Sequence, residues 1–490
     1  MSHEKSEEWR AASAEWQTSH YPLTTNHSLK LVSLSMETPG LSPETLVRQA
    51  RGEPRFFWQD AQMENGRSPL TFAGFGVAAQ LYAWGENRFQ SIQAQADALF
   101  DDMLLLSHEQ QLAAPRLFGG FAFRDDFTPD NTWSIYPRAY FILPHYQIVK
   151  VGHAAWLTIN TLLPEEDLQD SLPALREALL ARVGEFNAKA QTCTERSRSR
   201  SKGAEEEGKI EPVAVNYPLS YEAWAGQIEA ATALMRETAL NKVVLSRVCE
   251  IKFADRVPVD GALDYLQMHY ADCTRFLFEP RPFHAFYGAT PEMLASVNGR
   301  HLATMALAGS IARGSNQHED QMYAQELLHS AKDLHEHALV VESLRRRLSP
   351  IVTSLSIPDA PSIYKLHNIQ HLYTPISARL KQANGVLPVV AALHPTPALG
   401  GSPRDLAMAF ISNTEPVPRG WYAAPIGWMD SEGNGRFSVA IRSAVAQDRR
   451  VWLYAGAGIV PASDPQKEWQ ETALKFRPML EALGMEIVNG

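Results

Sequence analysis

At 490 residues the chain has room for one large domain or two ordinary ones. A hydrophobic share of 45% and a charged share of 20% are those of a globular protein in water, and a net charge of -10 excludes a broad nucleic-acid-binding surface. Cys193, Cys249 and Cys273 contain no CxxC pair and cannot all pair, which fits a reducing compartment; no apolar run approaches the ~20 residues of a membrane span. The polar, acidic residues 1–16 lack a signal-peptide pattern, so a cytoplasmic location is expected.

Residues 1–50 read as an N-terminal extension. Residues 51–190 mix strand-like runs at 70–77, 117–123, 139–143 and 154–159 with helical periodicity at 89–106 and 172–188. Residues 191–212 carry a basic block cancelled by Glu205, Glu206 and Glu207, and read as an exposed flexible loop. In the remainder, 213–490, a helix over 221–240 aligns Trp224, Ile228, Ala231 and Met235, and a strand over 242–253 follows. The apolar period of 319–348 predicts one long helix. Residues 421–460 read as a meander with turns at 431–435, where Asn434-Gly435 is a hairpin signal, and at 447–449. A glycine-rich turn then leads into a final helix, capped by Ser463 or Asp464 with Pro465 at its first position. Strands and helices mix without strict alternation, so the fold class is α+β.

The final helix carries Glu468 and Glu471 three apart, on one face, with Lys475 a turn further on. Asp333 and Glu336 repeat that spacing in 319–348. One such pair is an ordinary solvated face; two pairs on helices that also bury apolar positions point to a shared oxygen-ligand site for a hard cation such as Mg²⁺. HEHAL lacks the second histidine of a zinc HExxH motif, because Leu339 stands there, and His367 and His371 lack an evident third ligand and read as hydrogen-bonded core histidines. In a strand over 437–446, Arg442 shares a face with Ser438, Ala440 and Ala444, either as a guanidinium in a recess or as an edge-strand charge. Tyr454 and Gly456 alternate onto one face of the next strand. Lys242 shares a face with Val244, Ser246 and Val248, and is either a desolvated base or a strand-end lysine reaching water. Glu292, after a turn and a proline, is a candidate proton donor. The segments around Gly309-Ser310 and from His394 to Gly401 allow close approach of backbone to a ligand, yet match no nucleotide loop.

The segments KVVLSR, GATPEML, LAGSIARG, KDLHEHALVVE, NIQHLYTPI, LHPTPALGGSP, RGWYAAPIGWMDSEGNGRFSVAIRSA and YAGAGIVPASDPQKEWQET resemble the chorismate-utilising enzymes over residues 220–485. The resemblance implies two large packed antiparallel β-sheets with helices outside and a deep cleft, the N-terminal half contributing to the same fold. Lys242 stands where water-adding members keep the base that anthranilate enzymes lack. Ala308 stands in place of the nucleophilic lysine of aminodeoxychorismate synthases. Both imply the isochorismate synthase branch; PRFFWQD, LTFAGFGVA and PRLFGGFAF resemble its menaquinone-pathway members. The alternatives are a siderophore-pathway isochorismate synthase and a salicylate synthase. The implied site has Lys242 as base and Glu292 as acid. Glu336 and Glu471 hold Mg²⁺, with Asp333 and Glu468 supporting them. Gly309, Ser310, His394, Arg442, Tyr454, Gly456 and Lys475 contact chorismate. No glutaminase subunit, nucleic acid or membrane partner is expected.

Overall fold

The structure, a computed structural model, describes residues 29–62, 68–106, 111–200 and 212–485. Among these residues the strands form a 13-stranded and a 10-stranded sheet. Each strand pairs antiparallel with its neighbours except Leu29–Glu37 with Leu104–Leu105, which run parallel. Phe56, Trp58 and Phe72 of the larger sheet and Phe118 of the smaller meet edge-on or tilted, with ring centroids 6.0 to 6.3 Å apart. This aromatic layer is the main core. The outer face of the larger sheet is covered by Pro43–Gln49, Val259–His269, Pro465–Ala482 and the first turns of Leu168–Arg200, which build a second core.

Strands from the two halves of the sequence interleave. Arg55–Gln59 pairs with Thr274–Arg281 in the larger sheet, and Arg116–Phe121 pairs with Pro425–Asp430 in the smaller. The helix Leu168–Arg200 runs on into the segment expected to begin a loop at 191. Residues 201–211 of that segment, and residues 1–28, lie outside the described residues.

Two expected elements are divided. The helix over 319–348 is two helices, Gln317–His329 and Ala331–Leu348, broken at Ser330. The Ser330 hydroxyl caps the second helix by accepting from the Asp333 amide at 3.3 Å, and it also bonds the Asp333 carboxylate. The strand over 437–446 is also two elements. Gly435–Val439 belongs to the smaller sheet and Ser443–Gln447 to the larger, and the chain changes sheet at Arg442, whose φ of 50° is left-handed. The opposite crossing runs from His284–Thr290 in the larger sheet to Met293–Asn298 in the smaller, with Glu292 between them. The two crossings are stitched together: Ala289 N–H donates to Arg442 O at 3.1 Å and Val439 N–H to Glu292 O at 3.0 Å.

The final helix, Pro465–Ala482, begins as expected, with Asp464 as the cap accepting from Lys467 N–H. Pro478 lies inside it and has no N–H for the carbonyl four residues back. That carbonyl, on Leu474, accepts from Asn368 Nδ2 at 3.3 Å.

Candidate active site

Five elements bring the charged residues together. Lys242 opens the strand Lys242–Phe253, which pairs with Arg450–Ile459 so that Val244 faces Gly458 and Ser246 faces Gly456. Glu292 and Arg442 sit at the two crossings. Ser310 belongs to His301–Ala312, and Glu336 and Glu471 come from the helices Ala331–Leu348 and Pro465–Ala482.

Lys242 is fully buried, and its Nζ lies 2.7 Å from Glu336 Oε1. The expected base and an expected metal ligand are therefore in contact. Gly458 makes this possible: a Cβ there would lie 2.6 Å from Glu336 Oε1 and 2.9 Å from Lys242 Cε. Lys475 Nζ contacts Glu471 Oε1 at 2.6 Å and donates to Gly456 O at 2.8 Å. The pairing of Arg450–Ile459 with Ser443–Gln447 ends at Ala444 and Leu453, which leaves the backbone edge near Gly456 open on that side. Ser310 Oγ donates to Glu471 Oε1 at 3.3 Å. Gly309, with φ of 75°, brings the backbone against Asp333, whose Cβ lies 3.1 Å from where a side chain would start.

Glu292 is buried, and its carboxyl has no hydrogen-bonding side-chain or backbone partner among the described residues. Burial raises its pKa from 4.5 to about 7, against the pull of Lys242, Lys475 and Arg442. It can therefore carry a proton near neutrality. Arg442 is also buried, and burial lowers its pKa. Its guanidinium makes no hydrogen bond or ion pair among the described residues, so it is a fork of donors awaiting an anion.

The carboxylates of the two helices act on one another. Burial, reinforced by Glu336 and Glu471, raises the Asp333 pKa, and burial with Glu471 raises that of Glu468. Burial works against the charge of Glu471, yet Lys475, Lys332 and the Ser310 hydroxyl hold its pKa below the ordinary value. Lys332 donates to Glu468 Oε1 at 3.0 Å; despite burial, Glu468, Glu471 and Glu336 hold its pKa above the ordinary value. Among the described residues no three metal-binding side chains already form a cage. Mg²⁺ does not require one: it takes one or two carboxylates and fills its shell with water and substrate oxygens. An all-oxygen set of mutually repelling carboxylates fits that ion.

Two expected contacts lie elsewhere. The Tyr454 hydroxyl accepts from Trp133 Nε1 at 2.8 Å and donates to Pro418 O at 3.1 Å, so it is committed inside the aromatic core. Tyr422, stacked on Tyr454 with ring centroids 5.0 Å apart, instead brings its hydroxyl within 3.3 Å of where a Cβ on Gly456 would lie. His394 is enclosed between Phe89 and Phe123 with Nε2 bonded to Phe123 O at 3.0 Å; buried polar groups must find partners, and this one finds its partner in the core. Conversely, His371, read from the sequence as a satisfied core histidine, has a buried Nε2 without a hydrogen-bond partner among the described residues. It pairs across the ladder with Ser310, and burial, with Arg442 and Lys475 nearby, lowers its pKa to about 3. No sequence signal separates that neutral acceptor from an ordinary core histidine. Gly458 and Lys332 carry no sequence signal of their own, although both lie in the segments that resemble the family.

Residues 16–484 match the family described as chorismate binding enzyme, and the chain belongs to that family. Its similar relatives are isochorismate synthases. The chain is 36% identical over 456 residues to the salicylate biosynthesis isochorismate synthase of Pseudomonas aeruginosa, covering 92% of this chain and 90% of that protein. It is 32% identical over 477 residues to the isochorismate synthase MenF of Bacillus subtilis, covering 95% and 96%. Among solved structures, the menaquinone-specific isochorismate synthase MenF of Escherichia coli superposes with a TM-score of 0.73 at 25% identity, covering 96% of this chain and 98% of that one. Anthranilate synthase component I of Streptococcus pneumoniae shares the fold, with a TM-score of 0.60 at 20% identity.

Proposed function

We propose that the chain is an isochorismate synthase, an isomerase that adds water at ring carbon 2 of chorismate and removes the carbon 4 hydroxyl. The observation that carries this reading is Glu292: a buried carboxyl with no hydrogen-bond partner among the described residues and a pKa raised to about 7, enclosed with Lys242, Lys475 and Arg442. Acid and base chemistry in one cleft needs groups whose surroundings set opposite protonation states.

Chorismate carries two carboxylates. Arg442 and the open edge at Gly456 take the enolpyruvyl carboxylate, and Lys475 faces the ring carboxylate. Glu336 and Glu471 would hold Mg²⁺, which when bound neutralises the ring carboxylate. Glu336 also holds Lys242. Lys242 must part from that carboxylate before it can take a proton from water. The resulting hydroxide bonds to carbon 2, the ring double bonds shift, and Glu292 protonates the oxygen leaving carbon 4. One water enters and one leaves. The backbone at Gly309, the Ser310 hydroxyl and His371 Nε2 line the side toward Glu471.

The product supplies menaquinone synthesis in this reading, which the similarity to the two MenF proteins supports. The Pseudomonas relative favours a second reading, isochorismate supplied to salicylate synthesis. Feeding a menaquinone-deficient and a salicylate-deficient bacterial strain with this gene separates the two: rescue of respiration supports the first, and rescue of salicylate alone overturns it.

A further inference from the structure

One buried charge near the site is not used by the chemistry above. Arg247 lies five residues along the strand from Lys242, on the opposite face, and is 3% exposed. Its guanidinium carbon sits 3.4 Å from the Trp469 ring centroid. Its Nε donates to Thr472 Oγ1 at 2.7 Å and its Nη2 to Trp469 O at 3.2 Å. Trp469 and Thr472 each directly follow an acid of the site, Glu468 and Glu471. Phe476, directly after Lys475, lies under the same guanidinium at 5.3 Å. Each of the three charged helix residues of the site is thus followed by a residue that hydrogen-bonds or packs against the Arg247 side chain.

An apolar side chain would seal this space with less desolvation; burial lowers the Arg247 pKa to about 10. A planar fork adds direction. A ring stacked on its face and two acceptors at its edge fix both the rotation and the height of the helix on the strand. Rotation matters because Glu468, Glu471 and Lys475 occupy one helical stripe, and a shift of about 1 Å at a reacting group costs about 10²-fold in rate.

We propose that Arg247 is a positioning residue that locks the helix Pro465–Ala482 to the strand bearing Lys242, setting where Glu471 and Lys475 meet the substrate. The assignment of substrate rests on the function proposed above; the clamp itself does not. The test uses the full chain with Arg247→Met and Arg247→Lys, read by amide hydrogen exchange and by steady-state kinetics. Arg247→Met is expected to speed exchange in 465–476 while leaving the paired strands 274–281 and 284–290 protected. It is also expected to raise KM for chorismate and half-saturating Mg²⁺ by about tenfold or more, with the Glu292 pH limb unmoved. Arg247→Lys, which keeps charge without the fork, should recover the fold but not the KM. Unchanged exchange in 465–476 overturns the clamp, and faster exchange with unchanged KM reduces Arg247 to a structural group and overturns its positioning role. If the wild-type chain leaves chorismate untouched, the proposed function falls and the exchange comparison still decides the clamp.

Discussion

Glu292 owes its chemistry to burial. Its ordinary pKa is 4.5 and its folded value about 7, so the folded chain holds that proton between the two. Ionising it then costs stability, which falls as pH rises from about 4.5 to about 7 and levels off above. Glu292→Gln should therefore match the wild type in thermal stability near pH 4 and exceed it near pH 8. The same substitution should lower kcat by about 10²–10⁴-fold and leave chorismate affinity little changed. Wild-type turnover should fall as pH rises through about 7, and residual turnover of the variant should lack that limb. Wild-type-like kcat in Glu292→Gln would remove it as the acid. The role proposed for Arg442 is in binding instead. Arg442→Met leaves a buried carboxylate of the substrate without its counter-charge, worth about 2–5 kcal/mol. KM should rise about 10²-fold or more, with Arg442→Lys a poor rescue because an ammonium lacks the fork; an unchanged KM contradicts the assignment. Residue types and spacing singled out Lys242, Glu292, Arg442 and the acid pairs in the sequence, and the fold brings these charges near one another. Which way a ring points was not. Tyr454 and His394 were drawn into the core by Trp133, Pro418 and Phe123, all distant in sequence. His371 was left with a free nitrogen by the same long-range packing.

At the scale of elements, the strand 242–253 and the start of the final helix could be read to the residue, because local signals fix them: alternation in one case, Asp464 and Pro465 in the other. The break at Ser330 also had a local signal, the Ser330-x-x-Asp333 cap, but apolar periodicity ran through it and hid it. Alternation over 437–446 gave no sign of the change of sheet at Arg442, since both halves bury side chains with the same period of two. The Ser330 cap has a functional consequence. Its hydroxyl holds the carboxylate of Asp333, which neighbours the expected metal ligands. Ser330→Ala should cost about 1 kcal/mol of stability. It should also raise half-saturating Mg²⁺ by about tenfold or more, as loss of a partner that orients a ligand does. Loss of stability with unchanged Mg²⁺ dependence would confine Ser330 to capping.

For the molecule as a whole, the mixed strand pattern pointed to α+β, and the segment resemblance pointed to two packed sheets, which the structure and the similar folds show. Strand order was not legible: pairings such as Arg55–Gln59 with Thr274–Arg281 join residues over two hundred positions apart, and alternation carries no address for a partner. That interleaving gives the site its character. Lys242, Glu292, Arg442, Glu336 and Glu471 stand on different elements: one strand, two crossings between sheets and two helices. On the proposed reading this assembly converts chorismate to isochorismate without eliminating pyruvate. The most direct test incubates the purified chain with chorismate and Mg²⁺ and identifies the products by chromatography and mass spectrometry. Isochorismate formation without pyruvate is the predicted result; salicylate with pyruvate, or chorismate left unconsumed, would contradict it.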